Sequence, residues 1–381
     1  MQYIRSNDNE YYSILIPTKL EKEETEKFVN DVIELCKEDI KNDGWIFLDA
    51  SKLTDYTVSG LKELRKLHDA TNNIVFLNLS NDMFDLFSNV GYTNIFYAYK
   101  EFKQFDLGSA EHIGGGLNGN VYRISEDRAI KVYSDKVSLY EIIKEERTTR
   151  WAFMAGLPTS CTLGLVKVED KVALLFEYTN IKGVAKYLVD DPENFDEYLK
   201  EYAEFLKTID NIKADTNLLP SKKEEFENYL KDIQNAIDNE HYQKLANIIS
   251  NIPNKDTIVH GDAHARNIRY SKEGLKVIDL GDLGYGDPLF ELVALYATYV
   301  GYRNISTKDI VKIGNDNYQK VWDKLLPNMY PELNEKQLQE KENYLAALAY
   351  IRILRHCINY DELKDHIDII KQKLIEALDK I

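Results

Sequence analysis

Apolar and polar residues change their period several times along this chain. YYSILIPTKL at 11–20 is a nearly continuous apolar run and predicts a strand, whereas over 21–41 Phe28, Val32, Leu35 and Cys36 recur at helical spacing among charges. WIFLDAS at 45–51 and NIVFLNLS at 73–80 are two further strand-like runs. Between them, VSGLKELRKLHDAT at 58–71 places Leu61, Leu64 and Leu67 on one helical face. This strand and helix alternation predicts an α/β unit, a sheet covered by helices, over the first hundred residues, with a break near residue 103.

After the break the pattern turns β-like. Gly114, Gly115, Gly116 and Gly119 lie between two apolar stretches of HIGGGLNGNVYRISEDRAIKVY at 112–133, and AIKVY and KVALLFEYTN at 171–180 read as strands. NFDEYLKEYAEFLKTI at 194–209 and EKENYLAALAYIRILRHCINY at 340–360 return to helical spacing, with PENF and NEKQ as polar starts. Their aromatic and leucine faces predict a helical core, and EKEETE at 21–26 and SKKEEFEN at 221–228 predict solvated helix faces.

Composition narrows the picture. With 381 residues, 44% hydrophobic and 29% charged, the chain has material for more than one core. A net charge of −16 argues against partnership with nucleic acid or an anionic membrane. The apolar stretch LFELVALYATYV at 289–300 falls short of the roughly 18 to 20 residues a bilayer span needs and contains Glu291. No apolar core of a secretory signal precedes Tyr11, so a cytoplasmic location is expected. Cys36, Cys161 and Cys357 are widely spaced and odd in number, which predicts buried thiols in place of a disulfide framework or a zinc site.

Candidate chemistry concentrates in VHGDAHARN at 259–267. A carboxylate, Asp262, and a carboxamide, Asn267, stand five residues apart at the end of a predicted strand, and LKVIDLGD at 275–282 adds Asp279 twelve residues after Asn267. Phosphoryl transfer to a hydroxyl needs the acceptor oxygen aligned, its proton taken late and the phosphate charge neutralised. Asp262 suits the base, while Asn267 and Asp279 offer hard oxygen ligands for Mg²⁺. Upstream, the glycine run is either a structural hairpin or a phosphate-approaching loop. Lys131 is either an edge-strand lysine or a fixed cation beneath that loop. His260 reads as a structural residue of the loop and His264 as a loop histidine. Asp282 fits a turn-capping role better than a ligand role.

In order, glycine loop, Lys131, Glu146, HGDAHARN and IDLGD resemble the aminoglycoside phosphotransferase and choline kinase family, which has a protein-kinase-like fold. The resemblance covers roughly residues 110 to 300. It implies nucleotide binding through Gly114, Gly115, Gly116, Gly119 and Lys131, with Glu146, preferred over Glu145, holding the lysine. It also implies an adenine-pairing hinge at Glu177 and Tyr178. Asp262 would be the catalytic base, Mg²⁺ would be held by Asn267 and Asp279, and ATP, with GTP as the other candidate, would be the donor. Ala263 and Arg266 replace the family's common leucine and glycine, and Glu291 stands where an aspartate more often braces the loop. The first hundred residues resemble the sulfate transporter and anti-sigma factor antagonist (STAS) domain, on the register of LDASKLTDYTVSGLKEL at 48–64. Val58 occupies the position of that family's phosphorylated serine. Ser59 reads as an early helix residue satisfying backbone donors.

The expected organisation is therefore a STAS-like α/β domain at 1–103, followed by a bilobal kinase-like α+β domain at 104–381 with lobes of about 104–178 and 179–381. The expected activity is Mg²⁺-dependent transfer of a γ-phosphate to a hydroxyl of a small molecule, with regulation or partner binding through the STAS-like part. A protein kinase of a STAS-linked pathway and a non-catalytic nucleotide-binding regulator are the alternatives. Gly286 comes only seven residues after Asp279, too few for the long activation segment of protein kinases, which favours the small-molecule reading.

Overall fold

The structure, a computed structural model, describes residues 2–5, 11–41, 44–116, 118–178 and 182–381. By compactness the chain divides into two units, one of 1–124, 130–144 and 164–175, the other of 125–129, 145–163 and 176–381.

In the first unit, strands β1 (Gln2–Arg5), β2 (Tyr11–Leu15), β4 (Trp45–Asp49), β6 (Ile74–Leu79) and β7 (Tyr97–Lys100) form one sheet in the order β1-β2-β4-β6-β7. β1 runs antiparallel to β2, and the other neighbours are parallel. A two-residue parallel pair, β3 (Lys19–Leu20) and β5 (Asp55–Tyr56), lies beside it. The run predicted as one strand over 11–20 ends at Leu15, because Pro17 has no N–H for a ladder. The predicted helices are each divided, into α1 (Lys22–Leu35) and α2 (Lys37–Lys41), and into α3 (Val58–Leu64) and α4 (Lys66–Ala70). With α5 (Asn81–Asn89), these helices cover one face of the sheet. Phe28, Val32, Leu61, Leu64 and Phe87 pack there against Ile14, Ile46, Leu48 and Phe76.

The opposite face carries Phe47, Val75 and Leu77, as expected where a parallel strand is apolar on both sides. Its cover comes from Leu139, Tyr140 and Ile143 at the start of α6 (Leu139–Met154) and from Leu165 of a second sheet. That sheet contains β8 (Glu111–Gly116), β9 (Gly119–Arg123), β10 (Arg128–Tyr133), β11 (Thr162–Val168) and β12 (Lys171–Glu177), in the order β11-β12-β10-β9-β8. Residues 103–105, where the sequence places its break, pair with β11. Lys167 donates its N–H to Lys103 O at 2.9 Å and accepts from Phe105 N–H at 2.7 Å, and Phe105 and Leu107 pack with Ile130, Val168 and Ala173.

Ser59 is an early residue of α3 as expected, but the backbone donor of that turn is satisfied by the N-cap residue instead. That residue is Thr57, accepting from Gly60 N–H at 3.0 Å and donating to Leu20 O at 3.0 Å, while Val58 is 68% exposed. Of the three cysteines, Cys36 and Cys357 are buried as expected, but Cys161 is only half-buried, in the residue before β11, where its N–H donates to the Glu177 carboxylate.

The second unit is mainly helical, with α7 (Val184–Asp190), α8 (Phe195–Ile209), α9 (Lys222–Asp232), α10 (Asn239–Asn251), α11 (Leu289–Tyr299), α12 (Asn317–Met329), α13 (Glu335–Asn359) and α14 (Ile367–Leu378) around one core. α13 begins with a capping box of Asn334 and Gln337. Every residue of α11 is buried, so it runs through the middle of this core, and Glu291 is its one charged side chain. Two small two-stranded sheets complete the unit. β13 (Thr257–Val259) pairs antiparallel with β16 (Gly284–Gly286), and β14 (Ile268–Ser271) pairs with β15 (Gly274–Val277). No helix among the described residues is long and apolar enough to cross a membrane.

Candidate active site

Strand β13 delivers the chain into the 259–267 loop, and the β14–β15 hairpin carries it away. Ile268 is paired with Val277, and Ile278 N–H donates to Asn267 O at 2.9 Å. Asn267 and Asp279 therefore flank the same end of one hairpin, although twelve residues separate them in sequence.

The loop between them is tied to buried side chains at almost every residue. Glu291 accepts from Gly261 N–H at 2.9 Å through one carboxylate oxygen and from Ala263 N–H at 3.2 Å through the other. Tyr299 accepts from Ala265 N–H at 2.8 Å, and Tyr202 donates to Ala263 O. Arg352 of α13 donates to Gly261 O at 3.2 Å and lies 3.5 Å from Asp282. His260, fully buried, accepts from Asp262 N–H through Nδ1 at 3.2 Å, and its Nε2 stands 3.2 Å from Ile278 O. One tautomer, protonated at Nε2, satisfies both. Gly261 has φ +79, and a Cβ there would meet Asp282 O at 2.9 Å, so the turn requires glycine.

Asp262 emerges from this frame with a third of its side chain exposed. Asn267 Nδ2 donates to its main-chain O at 2.9 Å and to Oδ2 at 3.2 Å. Loss of solvent pushes the carboxyl up to about 7, with Asp282 and Asp279 acting in the same direction and His260 and Arg352 opposing. Burial pushes His264 down to about 4, so its imidazole is neutral at pH 7, and its Nδ1 has no partner among the described residues. Asp279 is exposed and holds φ +66, a left-handed conformation uncommon for a residue with a side chain. Such strain collects where position matters for function.

With its Nδ2 turned to Asp262, Asn267 has its amide oxygen left to offer, and Asp279 adds an exposed carboxylate at the same hairpin end. These are hard donors of the kind Mg²⁺ takes. Among the described residues no group of three or more His, Cys, Asp or Glu could hold a metal ion by itself.

In the first unit, β8 and β9 form the hairpin of the glycine run, with Gly116 opposite Gly119. Gly119 has a packing reason to be glycine, since a Cβ would lie 2.3 Å from Val132 O. Gly114 has none, because nothing stands within 4 Å of where its Cβ would be. Lys131 is not on an edge. It lies half-buried on the central strand β10, its ammonium 4.8 Å from the centre of the Tyr133 ring.

In the second unit, Glu146 is 2% exposed and lies 3.5 Å from Arg150, whereas Glu145 is more open. The Glu177 carboxylate accepts from Cys161 N–H at 3.1 Å and from Lys276 at 2.9 Å. Main-chain N–H groups of Glu177 and Tyr178 donate to Cys161 O and Asp127 O, each at 2.8 Å. The predicted strand end at 179–180 lies outside the described residues. Arg352, Tyr299 and Tyr202 escaped the sequence reading. Arg352 alone left a signal there, as a charge inside the apolar run AYIRILRHC.

Residues 109–326, more than half of the chain, match the phosphotransferase enzyme family, and the chain belongs to it. The fold of that region is protein-kinase-like. Among solved structures it is similar to an ADP-bound aminoglycoside phosphotransferase, APH(2'')-Ib, at 20% identity and TM-score 0.45 over 71% of this chain and 92% of that one. A choline/ethanolamine kinase family protein from Mesorhizobium loti is 14% identical with TM-score 0.46 over 71% and 88%. Amicoumacin kinase hAmiN, in complex with AMP-PNP, Ca²⁺ and Ami, is 13% identical with TM-score 0.47 over 73% and 90%. Among curated proteins none matches the chain.

Proposed function

We propose that the protein transfers the γ-phosphate of ATP, or of GTP, to a hydroxyl of a small molecule in a Mg²⁺-dependent reaction, with the N-terminal domain of 1–103 as a STAS-like regulatory or sensing part. The observation that carries this reading is the 259–267 loop, in which a partly open carboxylate, Asp262, is held by Asn267 and by a frame of buried donors and acceptors.

In this reading Asp262 accepts the hydrogen bond of the acceptor hydroxyl, aligns its oxygen and takes the proton as the new P–O bond forms. Its raised pKa fits a base working near neutral pH. The amide oxygen of Asn267 and the carboxylate of Asp279 would hold a divalent cation, which would neutralise phosphate charge. Lys131 supplies a fixed positive charge toward the donor's α- and β-phosphates, with Glu146 as its carboxylate partner. Gly114, Gly115, Gly116 and Gly119 provide main-chain N–H groups that phosphate oxygens can approach, and the hinge at Glu177 and Tyr178 takes the base. The short span from Asp279 to β16 speaks for a small acceptor over a protein one, because Gly284–Gly286 is already paired with Thr257–Val259.

The test is Mg²⁺-dependent ATP and GTP turnover by the full chain over a panel of aminoglycosides, choline-like amines, sugars and polyols. Turnover stimulated by one acceptor and abolished in Asp279→Asn supports the reading. Nucleotide binding without turnover on any acceptor refutes it.

A further inference from the structure

We infer that the aromatic seam between the first sheet and α6 positions the turn of α6 that carries Glu146. Trp45, Phe47 and Tyr140 are then positioning residues for phosphoryl transfer, although Trp45 and Phe47 lie outside the segment that matches the family. The inference rests on the role given to Glu146 above.

A parallel sheet with apolar residues on both faces needs cover on both. Helices α1 and α3 to α5 cover one face of the first sheet, and among the described residues no helix of the first hundred covers the other. That face is closed by Leu139, Tyr140 and Ile143 of α6 and by Leu165 of β11. The Trp45 ring stacks on Tyr97 at 5.5 Å and 26° and meets Tyr140 edge-on at 5.2 Å and 67°. Phe47, 6.5 Å from Trp45, and Ile143 are both fully buried.

Ile143 and Glu146 are three residues apart in one uninterrupted helix, so their side chains are neighbours on its surface. A helix transmits displacement of one turn to the next, because each turn is hydrogen-bonded to its neighbour. Glu146 is itself 2% exposed, and a buried carboxylate cannot recover its solvation by a small shift. The pairing of Lys103 and Phe105 with Lys167 is a second attachment holding the sheet in place. The seam therefore sets the register of a functional turn in addition to burying apolar surface.

Hydrogen exchange of the full-length protein reads this directly. In Tyr140→Ala and Trp45→Ala, amides 144–148 should exchange about tenfold or more faster than in wild type, since local protection reports local opening. Val32→Ala, which removes a buried side chain from the helical side of the same domain, should leave those amides at the wild-type rate. Tyr140→Phe should restore protection, and Trp45→Phe serves if either alanine variant fails to fold. KM for ATP should rise about tenfold in the seam variants with a smaller change in kcat, as a displaced lysine partner would predict. Unchanged exchange at 144–148 in the folded seam variants, or an equal rise in Val32→Ala, overturns the inference. The exchange experiment needs no nucleotide, so a chain that bound no ATP would refute the proposed function while the seam was still judged on exchange alone.

Discussion

The 259–267 loop and the Glu111–Arg123 hairpin are both assigned to phosphoryl transfer, and they are held in opposite ways. Side chains from α8, α11 and α13 grip the loop by its main chain, through Tyr202, Glu291, Tyr299 and Arg352. The hairpin is held by its own ladder, with a bulge between His112 and Gly114 and open space around Gly114. Where a carboxylate must stand at a fixed point, buried polar groups over-determine the backbone. At Gly114, where the proposed function has a phosphate approach, no side chain stands near.

The widest break in this contrast comes from Asp262→Asn, which leaves the frame intact and removes the base. The expected loss in kcat is about 10²- to 10⁴-fold with nucleotide affinity retained, read by steady-state kinetics beside direct nucleotide titration. Glu291→Ala attacks the frame and leaves Asp262 in place. Two buried N–H groups lose a charged acceptor, and stability should fall by about 2 to 6 kcal/mol in denaturant titration. Glu291→Gln, which keeps one acceptor oxygen, should fall by less.

The hairpin sharpens the comparison from the other side. Gly119→Ala should cost about 1 to 3 kcal/mol, because its Cβ meets Val132 O. Gly114→Ala should change stability by less than about 0.5 kcal/mol while raising KM for ATP, since the space it fills is empty of protein. A smaller effect concerns pH. Burial holds His264 and His356 at about 4, against an ordinary value of 6.5. Between those values the unfolded chain binds histidine protons that the folded chain does not, so these two side chains subtract stability as pH falls from about 6.5 toward 4, while Asp262 and Asp210, held at about 7, add stability over the same range. Thermal melts across that range, compared between wild type and His264→Gln, should isolate the histidine contribution, with His264→Gln gaining on wild type as pH falls. Val58→Ser, on an exposed position, should shift stability by less than about 0.5 kcal/mol.

Much of the loop was legible in sequence because the order and spacing of Asp262, Asn267 and Asp279 are distinctive, although each residue type alone is common. The hairpin that brings two of them to one end was not foreseen, since IRYS and GLKV are too short to show a period. Tyr202 and Tyr299 were not legible, since a tyrosine on an apolar helical face looks the same whether its hydroxyl meets a loop or nothing. β1 and β7 passed unnoticed because QYIR and YAYK are too short and too polar to show a period. The second face of the first sheet was announced by the unbroken apolar runs of β4 and β6, but what covers it lies some ninety residues downstream in α6. Local pattern does not report that distance.

The pairing of residues 103–105 with β11 bears on how such a chain can be inherited. A cut at 103 would strip the Lys167 amide of its acceptor and part Trp45 from Tyr140, its edge-on ring partner at 5.2 Å. The first hundred residues are therefore a poor cassette for recombination. A phosphotransferase receiving them would need an open strand edge at the place of Lys167 and an aromatic residue at the place of Tyr140. Those two positions are where relatives that share this arrangement should be sought.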